Sequence, residues 1–278
     1  MNIASRHSRS HNDTRPDRDE DNTMVQPIVI IGTGEMAGVF SRGLLKLGHP
    51  IVPVTRRMDM DQVAATVPQP RLVLVTVGEN DLQPVLARIP APWRDRLGLL
   101  QNELLPRDWQ VHGIAAPTVI AVWFEKKKGQ DYRVLVPSPV YGPAAPVITS
   151  ALEALDIPAW ELNSAEELTF ELVRKNVYIL TTNIAGLALP AGTDVDALWN
   201  RHQALAREVA GEVMDIQFKL IDAQLPREQL IAGMVAGIDG DLQHKCMGRS
   251  APARLARALE HADQFGLAVP RLRAIAAG

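Results

Sequence analysis

Hydrophobic positions follow two regimes along this chain. Up to about residue 162, short continuous apolar runs are separated by amphipathic stretches; beyond it, apolar residues recur at helical spacing and the short runs stop. The first run, Ile28-Val29-Ile30-Ile31, is β-branched throughout, as suits a strand buried on both faces. Gly32 and Gly34 come next, and Val39 to Leu47 then reads as a helix stopped by Gly48. Further strands are predicted over 50–54, over the apolar run 71–77, over 97–102, over 118–125 and 132–137, and over 158–162. Asp81 is expected to cap a helix carrying Pro84 in its first turn. The Pro-rich stretch from Pro137 to Pro146 reads as a loop, and Val147 to Leu155 as a short helix.

The second regime opens at Ser164-Ala165-Glu166-Glu167, an S-x-x-E capping box. The helix it starts is apolar nearly all round from Val177 to Leu189, so it should lie buried at the centre of the second half of the chain. Thr193-Asp194 is expected to cap one long helix toward Ile221, Pro226 to start another, and Ser250 to Phe265 to form a fourth. The predicted fold class is therefore α/β: a Rossmann-type dinucleotide-binding domain over 25–162, then an all-helical domain over 163–278. Residues 1–24 are polar and mixed in charge, with almost no apolar content, and read as a disordered tail. Met24, directly before the first strand, is a candidate start.

Composition narrows the function classes. Hydrophobic residues make up 46% and charged residues 22%, the profile of a soluble globular protein, here expected in the cytoplasm. A net charge of −3 offers no footprint for nucleic acid or an anionic membrane. The lysine run Lys126-Lys127-Lys128 reads as a solvated hairpin tip. The single cysteine, Cys246, excludes an internal disulfide framework and is expected to be a packing residue on a helix. No run is long enough to span a membrane, and no Cys/His spacing suggests a metal.

The chemistry concentrates at three places. The turn Gly32-Thr33-Gly34-Glu35-Met36-Ala37 is G-x-G-x-x-A between a strand and a helix. Gly32 allows the tight turn, Gly34 lets a pyrophosphate approach the backbone, and Ala37 lets helix and strand pack closely. The helix N-terminus then meets the phosphates. The second strand ends in Thr55-Arg56-Arg57, with no acid until Asp59. An acid there would bind the ribose of NAD; Arg56 and Arg57 suit the 2′-phosphate of NADP, so NADP(H) is the expected cofactor. Asn102, ending the fourth strand, is placed to bind the nicotinamide ribose or a substrate, or serves as a turn former. On the buried helix, Lys175 and Thr182 fall on nearly one face and Asn183 about 80° round, at about 100° per residue. Partial burial would lower the Lys175 pKa and suit it as a proton donor; the competing reading is a lysine that reaches the surface beside Arg174.

Three segments, Leu100-Gln101-Asn102, Leu172-Val173-Arg174-Lys175 with Asn183, and Met247-Gly248-Arg249 before the last long helix, resemble the ketopantoate reductase (2-dehydropantoate 2-reductase) family over about residues 25–278. The resemblance implies an NADPH-dependent, two-domain oxidoreductase of the kind used in pantothenate biosynthesis, with the active site between the domains. It implies Lys175 as general acid, Asn102 as the cofactor-side asparagine and Asn183 as the second of two substrate-side asparagines. Three positions depart from it. Ile179 stands where the first asparagine should be, Gly78-Glu79 replaces a lysine after the third strand, and Pro252 falls about where a glutamate should come after the Gly-Arg pair.

The expected activity is therefore hydride transfer from NADPH to a small 2-oxo acid. Lys175 would donate the proton, and Asn102, Asn183, Thr182 and Ser250 would bind the substrate. The alternatives are a catalytically silent NADP(H)-binding sensor or partner protein, and a reductase of a less charged ketone or imine, which the less polar Ile179 and Pro252 would suit. A homodimer is left open.

Overall fold

The computed structural model describes residues 25–278; the tail expected over residues 1–24 lies outside them. The first half runs β1 (Ile28–Ile31), α1 (Glu35–Lys46), β2 (Ile51–Val54), α2 (Met60–Thr66), β3 (Leu72–Val75), α3 (Glu79–Leu86), β4 (Leu97–Leu99), α4 (Pro106–Gln110), β5 (Thr118–Ile120), β6 (Phe124–Lys126), β7 (Tyr132–Val134), β8 (Ser138–Tyr141), α5 (Ala145–Glu153) and β9 (Ala159–Glu161). The second half is helical: α6 (Ala165–Leu187), α7 (Val195–Arg201), α8 (Gln203–Ile221), α9 (Arg227–Gly240), α10 (Ala251–Gln264) and α11 (Pro270–Ala277).

Seven strands form one sheet in the order β2-β1-β3-β4-β5-β8-β9, parallel except at the β5–β8 contact. Alternation along β1 and β3 explains their continuously apolar sequences. Ile28, Ile30, Leu72 and Leu74 face α1 and α5, where Phe40, Leu44, Ile148 and Leu152 cover them. Val29, Ile31, Val73 and Val75 face the other way, into a core with Leu82, Leu86 and Trp93 that continues into the helical half. Both faces are covered, so neither can be polar.

The helices behave locally as their ends dictate. Ser164 accepts a hydrogen bond from the Glu167 amide (3.2 Å), while the Glu167 carboxylate reaches back to the Asn163 amide (2.8 Å). That fixes the start of α6, which is buried from Leu172 onward by α8, α9 and α10. The helix through Leu47 ends with Gly48 at φ +83°, a left-handed turn that glycine adopts without strain.

Five local expectations are corrected. Asp81 does not cap α3; the cap is Gly78, three residues earlier, so Asp81 lies inside the first turn and Pro84 in the helix interior and not in that turn. The run 118–125 is two strands, β5 in the main sheet and β6 in the separate β6–β7 hairpin. The Pro-rich loop contains β8, a strand inside the main sheet. Pro139 is tolerated there because its carbonyl accepts from the Ala121 amide (3.0 Å), while Ser138 N and Val140 O make the bonds along β9. The helix expected from Asp194 to Ile221 breaks at His202 into α7 and α8. Cys246 is buried, as a packing residue should be, but lies on the connection between α9 and α10 and not on a helix. The lysine run does form the hairpin turn; Lys126 also pairs with Glu35 at 3.2 Å, tying that turn to the start of α1.

Candidate active site

The carboxyl ends of β1, β2 and β3 open onto a cavity of about 600 Å³ lined by Gly32, Thr33, Gly34, Thr55, Arg56, Thr76, Gly78, Asp81 and Arg88. Gly32 sits at φ +97°, and a Cβ there would press on Thr76, whose hydroxyl donates to the carbonyls of Ile31 (3.0 Å) and Gly32 (3.2 Å). Its glycine is required by the turn itself. Gly34 is different: a Cβ there would meet nothing within 4 Å. No protein atom needs that space, and the α1 amides beside it have no side-chain cap. The empty ground over Gly34, next to unpaired N–H groups, fits a pyrophosphate.

The other turn residues divide by role. Ala37 is buried on α1 in the core between that helix and the sheet, Met36 packs against the same core, and Glu35 is exposed and paired with Lys126. Arg56 lines the cavity; Arg57 does not. Asp59, the nearest acid after them in the chain, accepts from the Asp61 amide (2.9 Å) as the cap of α2 and does not line the cavity. Arg88, just past α3, adds a second cation to the lining that no motif announced.

A second cavity of about 220 Å³ lies between the sheet half and the helical half, lined by Asn102, Lys175, Ile179, Thr182, Asn183 and Arg254, with Trp123, Tyr178, Glu125 and His244. Asn102 belongs to this cavity and not to the first. Its place is set by Gln101, whose buried side chain donates to the carbonyls of Val75 (2.8 Å) and Val77 (3.2 Å) and so ties the end of β4 to the end of β3. Lys175 is 3% exposed, and its Nζ has no hydrogen-bond partner among the described residues. It does not reach the surface. Burial pushes its pKa down to about 7, against a smaller upward pull from Glu79. The Thr182 hydroxyl donates back to the Tyr178 carbonyl (2.8 Å), so toward the cavity it can only accept. Ser250 is exposed, directly before α10, outside the lining of both cavities.

Arg254 is the residue that sequence reasoning missed. Pro252 points outward, in the first turn of α10, while Arg254 reaches in. Its Nη1 donates to Asn183 Oδ1, its Nη2 to Glu79 Oε1 and its Nε to Glu103 Oε1, all at 2.9 Å. Arg257 adds a second guanidinium on Glu103 at 2.6 Å. Glu79, where the resemblance leads one to expect a lysine, thus answers an arginine on the facing helix. The signal available in the sequence was the reversal of charge at 79 together with two arginines one turn apart on α10.

Near the hairpin, Glu125, Asp241 and His244 bring their ligand atoms within 4.8 Å of one another. Arg133 already pairs with Asp241 (2.7 Å) and Lys127 with Glu125 (2.9 Å), so side-chain cations neutralise these carboxylates. The Cys246 thiol, pushed up to about 12 by burial, is a packing group and no nucleophile.

No protein-family model matches the chain, and no curated protein matches it. Solved structures do. A ketopantoate reductase from Ralstonia eutropha JMP134 superposes with a TM-score of 0.62 at 15% identity, over 90% of this chain and 96% of that one. A 2-dehydropantoate 2-reductase from Methylococcus capsulatus gives 0.60 at 15% identity, over 90% and 94%. A D-mandelate dehydrogenase in complex with NADH gives 0.59 at 13% identity, over 90% and 96%. The chain therefore has the fold that these enzymes share, a Rossmann-type sheet with a helical half after it.

Proposed function

We propose that this protein is an NADPH-dependent reductase of a small 2-oxo acid. The observation that carries the reading is Lys175: a buried ammonium with no hydrogen-bond partner among the described residues, lining a cavity together with Asn102 and Asn183. An unpaired buried charge costs several kcal/mol, of order 3 or more, and a fold has no reason to hold one unless it is used. The enzymes with the same fold act on such substrates or bind a nicotinamide cofactor, which supports the class. Arg56 in the lining of the first cavity, with Asp59 outside it, favours NADP over NAD.

Bound nicotinamide would supply a hydride to the carbonyl carbon. Lys175 would stabilise the growing negative charge on the carbonyl oxygen and donate the proton to it. Asn183 and Asn102 would orient the oxo acid, and Arg56 and Arg88 would hold the phosphate end of the cofactor. Val122, Phe124, Leu135 and Ile179 make an apolar part of the cavity wall that would receive an apolar substituent.

The test is oxidation of NADPH across a panel of 2-oxo acids, ketopantoate among them, in parallel with NADH. Turnover of one acid with NADPH preferred supports the reading. Tight NADPH binding with no turnover on any acid, ketone or imine overturns it in favour of an NADP(H) sensor.

A further inference from the structure

We propose that Arg254 is the specificity-determining residue of the cavity between the two halves, because its guanidinium holds the Asn183 oxygen and so groups three donors, the Asn183 NH2, Arg254 and Lys175, in its lining. The inference deepens the reductase reading and rests on it for the reaction, though not for recognition.

A carboxamide can present either its oxygen or its NH2 to a ligand. Here the choice is made by the protein. Asn183 Oδ1 accepts from Arg254 Nη1, which turns the carboxamide oxygen to the guanidinium and leaves the NH2 free to donate. Asn183 is 8% exposed, as is Arg254, so solvent does not reverse the choice. The guanidinium is held in turn by Glu79 and Glu103, which come from the facing half of the molecule. Neither glutamate lines the cavity. They orient the fork and do not present acceptors to a ligand. Three of the five N–H groups of Arg254 are used in these bonds, and the third member of the group, Lys175, is a donor with no acceptor at all when protonated. The acceptors among the lining residues are the Thr182 hydroxyl, whose proton goes to the Tyr178 carbonyl, the Asn102 carboxamide oxygen, Glu125 and His244; none of them is hydrogen-bonded to Arg254.

A group of donors of this kind selects a ligand whose adjacent oxygens only accept. The carbonyl and carboxylate of a 2-oxo acid do so. A 2-oxo amide, a diol or an amine brings an N–H or O–H against another donor and leaves both unpaired, and a site built for hydrogen bonding rejects such a ligand strongly. A lysine at 254 would keep the charge but has no planar fork to join Asn183, Glu79 and Glu103 at once.

The experiment measures calorimetric binding of oxamate and of its neutral diamide oxamide to the intact protein saturated with NADPH. Wild type is expected to favour oxamate by about 100-fold. Arg254→Lys should lower that ratio by about tenfold. Asn183→Asp keeps the Arg254 partner and strengthens it, so the fold is preserved; it should lose oxamate binding by about 100-fold, since a carboxylate has no donor to give. Equal binding of the two ligands to wild type, an unchanged ratio in Arg254→Lys, or full oxamate affinity in Asn183→Asp overturns the proposal. Failure of the reductase reading looks different: oxamate is discriminated as described while no 2-oxo acid is reduced.

Discussion

Lys175 is held where water cannot reach its charge, and this has opposite consequences for stability and activity. Its pKa falls from 10.5 to about 7, so between those values the unfolded chain holds a proton that the folded chain lacks. Stability therefore falls as pH is lowered through that window, by a total of about 5 kcal/mol, and stays at that level below pH 7. Replacing the ammonium with a thioether should recover part of this. Lys175→Met is expected to raise the thermal midpoint near neutral pH, with the gain shrinking in alkali, while NADPH-dependent reduction drops by about 100-fold or more. The same titration gives the wild-type rate profile. Reduction uses the protonated amine, so kcat/KM should decline above pH 7, about tenfold per unit, and the profile should flatten in the variant. A wild-type profile without a break near pH 7 would remove Lys175 from the proton transfer. Arg56 makes a second residue-scale prediction. Arg56→Asp should weaken NADPH binding by about 10- to 100-fold and leave NADH binding equal or better, read by nicotinamide fluorescence titration.

At the scale of elements, the site depends on how closely two helices approach. A Cβ at Gly43 of α1 would overlap the Ala151 carbonyl of α5. Alanine raises helix propensity by about 1 kcal/mol over glycine, but the overlap is with backbone that cannot rotate away. The clash should win: Gly43→Ala is expected to cost about 3 kcal/mol or more, seen as a lower denaturation midpoint at unchanged m-value. The glycine turn before α1 was legible because a buried strand and glycines at fixed spacing leave a local signature, although the helix begins at Glu35, ahead of the apolar spacing from Val39. The strand β8 was not, since Pro137 and Pro139 carry the signature of a loop and only the neighbours β5 and β9 show which of their backbone groups are needed. The break at His202 was equally silent: α7 and α8 carry one helical periodicity, and the bend between them is set by what each packs on.

Across the whole molecule, the two halves are joined by a continuous apolar core and by the Glu79–Arg254–Glu103–Arg257 network. The network is largely shielded, with side-chain exposures of 24%, 10%, 18% and 33%, so it should outweigh an ordinary surface pair. Glu103→Gln removes the charge shared by two arginines and should lower stability by about 1–3 kcal/mol. The single pair Glu35–Lys126, whose glutamate is 43% exposed, is the control; Glu35→Gln should cost less than about 1 kcal/mol. Equal shifts in thermal midpoint for the two variants would show that the network adds nothing beyond surface charge.

Residues close together in the chain were enough to specify the buried strands, the glycine turn, the capping box of α6 and the spacing of Lys175, Thr182 and Asn183. All of these rest on periodicity and on backbone conformations that few residues allow. Which residues meet across the molecule was settled by folding alone. Packing of the two halves brought Asn102 to Lys175 and away from the turn, left Ser250 outside both cavities and separated Arg56 from Arg57. It also set Arg254 against Glu79 and Glu103, 175 and 151 residues distant in the chain. A hydrogen bond or an ion pair acts over a few ångströms of space, and nothing in local sequence records which distant segments the core will hold that close.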